Sequence, residues 1–160
     1  MASIHKPVRV FRIAKTEERG FDLTGFGAFK YGGRWNNKGT YMLYTSMNSS
    51  LAYLETLVHL NSAQLPGQLF ISSILIDEKA SIYTLPDGDY PASWQEENSH
   101  ETKMLGDKWM NDKKHLAIKI KSTINPFEFN FLINPLFPGF NRMVKIESIS
   151  PLNIDTRLLR

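Results

Sequence analysis

Thr40-Tyr41-Met42-Leu43-Tyr44-Thr45, then Ser46-Met47-Asn48-Ser49-Ser50, then Leu51-Ala52-Tyr53-Leu54-Glu55-Thr56-Leu57-Val58-His59-Leu60: over this one span the chain changes its period. The first six residues read as a strand, with Tyr41 and Leu43 on one face and Met42 and Tyr44 on the other. The middle five are helix-start residues, and Ser49 is the expected N-cap. The last ten read as a helix with Leu51, Leu54 and Val58 on one side. Leu57 and Leu60 spread apolar character to other faces, so this helix is expected to be well buried.

Strand readings dominate on either side. Val8–Ile13 is a short strand, with Arg9 and Arg12 interleaved among Val8, Val10 and Phe11. Gly20 to Gly39 is dense in glycine and aromatics and reads as a structured loop. Leu69–Ile76 is a strand with Phe70, Ile74 and Ile76 on one face. Asp77–Ala80 is a turn, Ser81–Leu85 an extended piece, and Pro86 to Pro91 a loop. Glu101–Met110 reads as a helix and His115–Ile120 as a strand. Pro126 interrupts the chain, Phe127–Ile133 is strand-like, and Pro135 and Pro138 mark turns before a late strand at Met143–Ile146. Two or three helices among many strands give an α+β fold with a mainly antiparallel or mixed sheet.

The chain has 160 residues, which fits a single domain spanning 1–160. Hydrophobic content of 42% and charged content of 22% are ordinary globular values. The absence of cysteine excludes disulfides, thiolate zinc sites and a cysteine nucleophile, and fits a reducing cytoplasm. Met1 to Pro7 lacks the apolar segment of a signal peptide. No apolar run approaches the ~18 residues of a membrane span. A net charge of +3 and a pI near 9.1 favour anionic ligands such as nucleotides. The basic residues are scattered, however. The nearest cluster, Lys113 and Lys114 with Lys119 and Lys121 beyond, reads as a solvated face rather than a nucleic-acid stripe.

Motifs of several enzyme classes are missing. There is no Gly-x-Gly-x-x-Gly after a strand, no Walker A loop and no Gly-x-Ser-x-Gly elbow. His5, His59, His100 and His115 have no metal-ligand spacing, so no metal is expected. The informative residues are few. Glu55 falls beside the apolar stripe of its helix, where a carboxylate is costly unless it is paired. It reads as a functional carboxylate, as a boundary glutamate reaching solvent, or as one half of a structural ion pair; His59, one turn on, is a candidate partner or a plain surface residue. Gly32-Gly33-Arg34-Trp35-Asn36 combines backbone that can approach a ligand, a planar fork for phosphate and an aromatic face. Taken by itself, the stretch favours a β-hairpin with a structural tryptophan and a surface arginine. Tyr44 is either a stacking face or core packing. Ser122 is either a donor into a pocket or a turn residue at a strand end.

Taken in order, Val10–Ile13, Gly32–Asn36, Tyr44–Ser46 with Ser50–Glu55, Leu57–His59, Leu105–Trp109, Lys121-Ser122, Asn130–Pro135 and Asp155–Leu158 resemble the RES domain of bacterial toxin–antitoxin systems. The resemblance runs over nearly the whole chain. The arginine, glutamate and serine that give that family its name look like Arg34, Glu55 and Ser122. One departure stands out: relatives often carry Val-Pro before the serine, whereas Ile120-Lys121 precedes Ser122 here.

The resemblance implies an ADP-ribosyltransferase-like fold and an enzyme with NAD as substrate. Hydrolysis or phosphorolysis of the nicotinamide–ribose bond is the leading reaction, and ADP-ribosylation of a protein the alternative. It implies Glu55, Arg34 and Ser122 as catalytic. Arg12, Arg34, Tyr44, Gly33, Trp35 and Asn130 would bind NAD. It also implies a cytoplasmic protein whose site is occluded by an Xre-like antitoxin, with nucleic acid reached only through that partner. A non-catalytic RNA-binding module is the competing class, suggested by the basic pI and the aromatics. Sparse basic clustering counts against it.

Overall fold

The computed structural model describes residues 6–60 and 67–159; the reading of the chain start, His5 included, lies outside them. Seven strands are described: β1 (Val8–Ala14), β2 (Leu43–Ser46), β3 (Leu69–Ile76), β4 (Ile82–Thr84), β5 (Ala117–Lys121), β6 (Phe129–Ile133) and β7 (Val144–Leu152). They form one sheet in the order β4-β5-β6-β2-β1-β3-β7. Only the β4–β5 pair is parallel. The expected α+β class with a mixed, mainly antiparallel sheet is the observed one.

The register decides which side chains share a face. Ile120, Asn130, Ser46, Phe11 and Ser73 stand opposite one another across five strands. Cross-strand partners project to the same side, so they form one row on what we term the front face. Tyr44, Leu132 and Ile118 make the next front row. The back face carries Val10, Arg12, Leu43, Phe131, Ile133 and Ile74 by the same alternation.

Each face has its own core. On the back, Val10, Leu43, Ile74, Ile76, Phe131 and Ile133 are buried beneath Phe140 and Val144, with Leu23, Phe137 and Met143 at the margin. On the front, Ile118, Ile120 and Leu132 are buried with Trp35, Met42, Leu85 and Met110, ringed by Tyr90, Trp94 and Trp109. Burying one such aliphatic side chain contributes roughly 1.5–3 kcal/mol.

Helices seal both faces. Two short ones, α1 (Glu17–Phe21) and α2 (Phe26–Tyr31), occupy the stretch read from sequence as a structured loop. Thr16 caps α1 by accepting from the Arg19 amide. Gly25 enters α2 in the left-handed region at φ 72°, and a Cβ there would meet the Met42 amide at 2.8 Å. Helices of five and six residues show no amphipathic period, which is why the pattern did not reveal them. With α3 (Ser49–Leu57), α4 (His100–Asp112) and α5 (Phe140–Met143), the described residues hold five helices, not two or three.

The helix α3 corrects three sequence expectations. Asn48, not Ser49, is its N-cap, accepting from the Leu51 amide at 2.7 Å. It ends at Leu57, and His59 lies beyond it, exposed. It is also less buried than expected, since Leu54 and Val58 are 41% and 60% exposed. Leu51, Ala52 and Glu55 fall within an arc of roughly 100° and face inward instead. Strand limits shift as well, by one or two positions in β1, β4 and β5 and more informatively in three others. Strand β2 starts at Leu43 rather than Thr40, and β6 starts at Phe129, leaving Phe127 exposed. Strand β7 runs to Leu152, well past Ile146.

β7 is an edge strand, and its outer side is blunted. A register shift at Ser73/Ile74 opens a bulge against β3. Glu147 at the bulge takes two bonds from Arg9, each 2.7 Å, and a third from Ser73. Bulge, charge and Pro151 all discourage edge-to-edge pairing.

Gly106 lies in the middle of α4, where glycine normally weakens a helix. A Cβ at this position would overlap the carbonyl oxygen of Trp35, so only glycine lets the Gly32–Asn36 loop dock on α4. Gly27 in α2 has nothing within reach of an added Cβ. Gly106→Ala is therefore expected to lower the urea unfolding free energy by about 1–3 kcal/mol through overpacking. Gly27→Ala should raise it by roughly 0.5–1 kcal/mol. Equal effects at the two sites would contradict this packing.

Candidate functional site

Glu55 is held on the front face by two donors from distant segments. The Ser122 hydroxyl donates to its Oε1 at 2.7 Å, and the Asn130 amide donates to the same oxygen at 2.7 Å. Both donors therefore grip one oxygen, while Oε2 has no protein partner among the described residues. The reading of Glu55 as one half of an ion pair with His59 is not what is observed.

Each donor is fixed in turn. Ser122 follows β5 and is fully buried. Its Oγ accepts from the amides of Ile124 and Asn125 at 3.1 and 3.2 Å, which points its hydrogen at Glu55. Ser122 is thus a turn residue at the strand end and also a hydrogen-bond donor, to Glu55. Asn130 stands on β6 opposite Ser46 of β2. The Ser46 hydroxyl donates to Asn130 Oδ1 at 2.8 Å, and because the Glu55 carboxylate can only accept, it is the amide nitrogen that faces Glu55. Ser46 was missed as a site residue. The signal available was its place in Tyr44-Thr45-Ser46, two positions from Tyr44 on one strand face.

The Gly32–Asn36 loop forms a second group around the Tyr44 hydroxyl. That hydroxyl accepts from the Trp35 amide at 3.0 Å and donates to Asn36 Oδ1 at 2.6 Å. Asn36 is completely buried, and its amide nitrogen donates to the carbonyls of Ala28, Asn37 and Thr40. A Cβ at Gly33 would come 2.5 Å from the Tyr44 oxygen, so glycine is required there as well. Burial holds the Tyr44 phenol well above its ordinary value of 10, against a smaller opposing effect of the Trp35 amide. Trp35 stacks on Trp109 of α4 at 5.6 Å. Asn37 donates twice to Asp107, and Thr102 donates to the Arg34 carbonyl at 2.7 Å. The loop is thereby riveted to α4 through backbone contacts. The Arg34 side chain spends one N–H on the Glu96 carbonyl.

The structure therefore brings Glu55, Ser122 and Asn130 together, and separately gathers Gly33, Arg34, Trp35 and Tyr44. β2 joins the two groups, because Tyr44 and Ser46 lie on one face roughly 7 Å apart along the strand. Arg12 is not brought to either group. It stands opposite Ser72 on the back face and donates to the Arg19 carbonyl at 2.6 Å. Burial lowers its pKa from the ordinary arginine value, with Asp22 opposing the shift. Among the described residues no three His, Asp or Glu side chains gather as metal ligands. A surface cleft of about 670 Å³, lined by Phe21, Leu23, Phe26, Leu136 and Phe140, lies away from both groups.

Known proteins resemble this chain closely. Residues 9–155 match the family described as RES domain. The Toxin Res of Yersinia enterocolitica is 34% identical over 152 residues, covering 93% of this chain and 98% of that protein. The Prs ADP-ribosylating toxin of Sphingobium sp. is 33% identical over 155 residues, 95% of each chain. In three dimensions, a chain from the crystal structure of the M. tuberculosis MbcT–MbcA toxin–antitoxin complex matches with a TM-score of 0.71. It covers 93% of this chain and 86% of its own, at 12% identity, so the likeness is one of fold.

Tyr44→Phe leaves Asn36 Oδ1 without its short donor and the Trp35 amide without its acceptor. It is expected to cost about 1–3 kcal/mol of stability. The pH dependence has a definite sign. A phenol whose folded pKa is raised contributes stability that is complete below pH 10 and is lost as pH rises toward the folded value. Ultraviolet titration should thus show one tyrosine that ionises only with alkaline unfolding, absent from Tyr44→Phe. Smooth ionisation of every tyrosine near its ordinary value would contradict the burial.

Proposed function

The chain belongs to the RES-domain family, and from that premise we propose that it is the toxin of a type II toxin–antitoxin pair, an enzyme that consumes NAD by breaking the nicotinamide–ribose bond. The observation that carries this reading is Glu55 itself: a carboxylate fixed through one oxygen, with no partner for the other among the described residues. Breaking an N-glycosidic bond builds an oxocarbenium-like cation on the ribose. A preorganised carboxylate stabilises that charge as it develops and can take a hydrogen bond from a ribose hydroxyl. Nicotinamide leaves as a neutral molecule, so no second acid is needed.

The remaining roles follow from placement. Ser122 and Asn130 orient Glu55 and supply polar contacts beside the ribose. Arg34 carries five N–H donors, and the Glu96 carbonyl accepts one of them, which leaves the fork able to bind a pyrophosphate. Gly33 makes room for the Tyr44 hydroxyl and so serves NAD binding through the shape of the loop. Tyr44, partly buried on the same side, is where a flat ring can stack; Trp35 is 2% exposed and already stacked on Trp109, so it packs the loop rather than binding substrate. Arg12, on the back face, is left out of this assignment; its carbonyl contact with Arg19 fits a structural role.

The acceptor of the ADP-ribosyl group is water or phosphate in the leading reading. Transfer to a cellular protein is the second reading, favoured by the Sphingobium relative named as an ADP-ribosylating toxin. We assign the whole chain, 1–160, to one RES domain working in the cytoplasm. Its partner would be an Xre-like antitoxin that covers the front face, in keeping with the toxin–antitoxin complex that shares the fold.

Incubation of the purified protein with NAD, with and without phosphate and cell extract, tests the reading. Free ADP-ribose, its phosphorylated form or a labelled protein band would each name one acceptor. Glu55→Gln should stay folded and lose at least about 10²-fold of NAD turnover. Full activity in that variant would overturn the mechanism. Salt-sensitive RNA binding without NAD loss would replace it with the binding-module reading.

A further inference from the structure

Glu128 is a charged side chain that the chemistry above does not use. Its Oε2 accepts from the Asn48 side-chain amide at 2.7 Å, in a partly buried setting. Asn48 is the N-cap of α3, accepting from the Leu51 amide through Oδ1. The backbone carbonyl of Glu128 also accepts from the Ser122 amide at 2.9 Å. These contacts close a circuit: from Glu55 to the Ser122 hydroxyl, from the Ser122 amide to Glu128, from Glu128 to Asn48, and from Asn48 into the first turn of α3. Glu55 lies one turn further along the same helix. Both ends of the Asn48 amide are thus engaged, one by the helix and one by the serine-bearing loop.

We propose that Asn48 and Glu128 are positioning residues that lock α3 against the Ser122 loop, setting the Glu55–Ser122 distance for the reaction. A serine cap at position 48 would hold the helix equally well. Asparagine carries its accepting oxygen and donating nitrogen on separate atoms, so one side chain caps the helix and reaches Glu128 together, whereas serine has a single oxygen one bond nearer the backbone for both. Neither residue touches substrate in this assignment. The activity arm of the proposal rests on the NAD-cleaving reading; the structural arm does not.

The test is an exchange of donor and acceptor. Asn48→Asp keeps the helix cap but removes the amide donor and sets two carboxylates against each other. Because misplacing a catalytic group by an ångström costs up to ~10²-fold, kcat for NAD is expected to fall about tenfold or more, with KM little changed. Glu128→Gln alone retains an acceptor for Asn48 and should stay within about twofold of the parent, since the bond is kept. The double variant Asn48→Asp with Glu128→Gln places the donor on the other side and should recover most of the lost kcat. Amide hydrogen exchange at Ser122 gives a readout independent of NAD: faster in Asn48→Asp, restored in the double variant.

A double variant no better than Asn48→Asp in both readouts overturns the proposal, as does an Asn48→Asp variant that matches the parent in both. If the exchange pattern appears but the parent leaves NAD intact, the lock stands and the enzymatic reading falls. If the parent consumes NAD but neither kcat nor exchange follows the pattern, the lock falls and the enzymatic reading stands.

Discussion

The backbone carbonyl of Trp35 rests where any residue but glycine at 106 would place its Cβ. From that contact the front half of the molecule follows. Trp35 can stack on Trp109 only because the loop backbone sits this close to α4. The same approach brings Asn37 to Asp107 and the Arg34 carbonyl to Thr102. With the loop pinned from outside, the Tyr44 hydroxyl meets it from the sheet side and engages Trp35 and Asn36 together. The glycine weakens α4 locally by about 1 kcal/mol. Against that cost stands a loop fixed between helix and strand, with no buried side-chain polar atom left without a partner among the described residues.

Periodicity revealed the sheet well where strands are buried. Leu69–Ile76 matches β3 residue for residue, and β1 and β5 lie within one or two positions of their readings. Most of their buried positions, Val10, Leu69, Ile74, Ile76, Ala117, Ile118 and Ile120 among them, are apolar and carry the strand signal, while Arg9, Arg12, Lys119 and Lys121 stand where β1 and β5 are less covered. β7 is different. Lys145, Glu147, Ser148 and Ser150 are exposed at an edge, where pairing needs only backbone, and its second half offers only Ile149 and Leu152 as apolar residues, three apart and broken by Pro151. The orientation of α3 was misjudged for a related reason. Helical counting favoured the side rich in leucine, but the side that turned inward is the one bearing Glu55, because Ser122 and Asn130 supply its hydrogen bonds. Local sequence holds no record of those donors, which lie 67 and 75 residues away.

The candidate site shows the same division between local and distant information. Glu55, Ser122 and Asn130 were named from the resemblance, and they do meet. Arg12 was named with them, yet the alternation of β1 turns it to the back face. Its neighbour Phe11 lies in the front row instead, opposite Ser46. Ser46 itself escaped notice because a single strand serine has no distinguishing pattern; only its pairing with Asn130 gives it a task. The cap of α3 was likewise undecidable from sequence, since Asn48 and Ser49 are both good caps. Glu128, far along the chain, favours asparagine by offering its amide an acceptor.

The position of β2 in the sheet bears on how the molecule is made. One neighbour of β2 is β1, close in sequence, and the other is β6, which the ribosome delivers much later. A nascent chain that has emerged as far as β5 already carries Glu55 on its helix but neither of the donors that orient it. Serine and asparagine come out together, just before β6 slots into the gap between β2 and β5. Closure of the long loops that join these segments is a late, entropically costly step. The carboxylate therefore stays undirected while the next 67 to 75 residues are made, and its final geometry arrives as β6 enters the sheet.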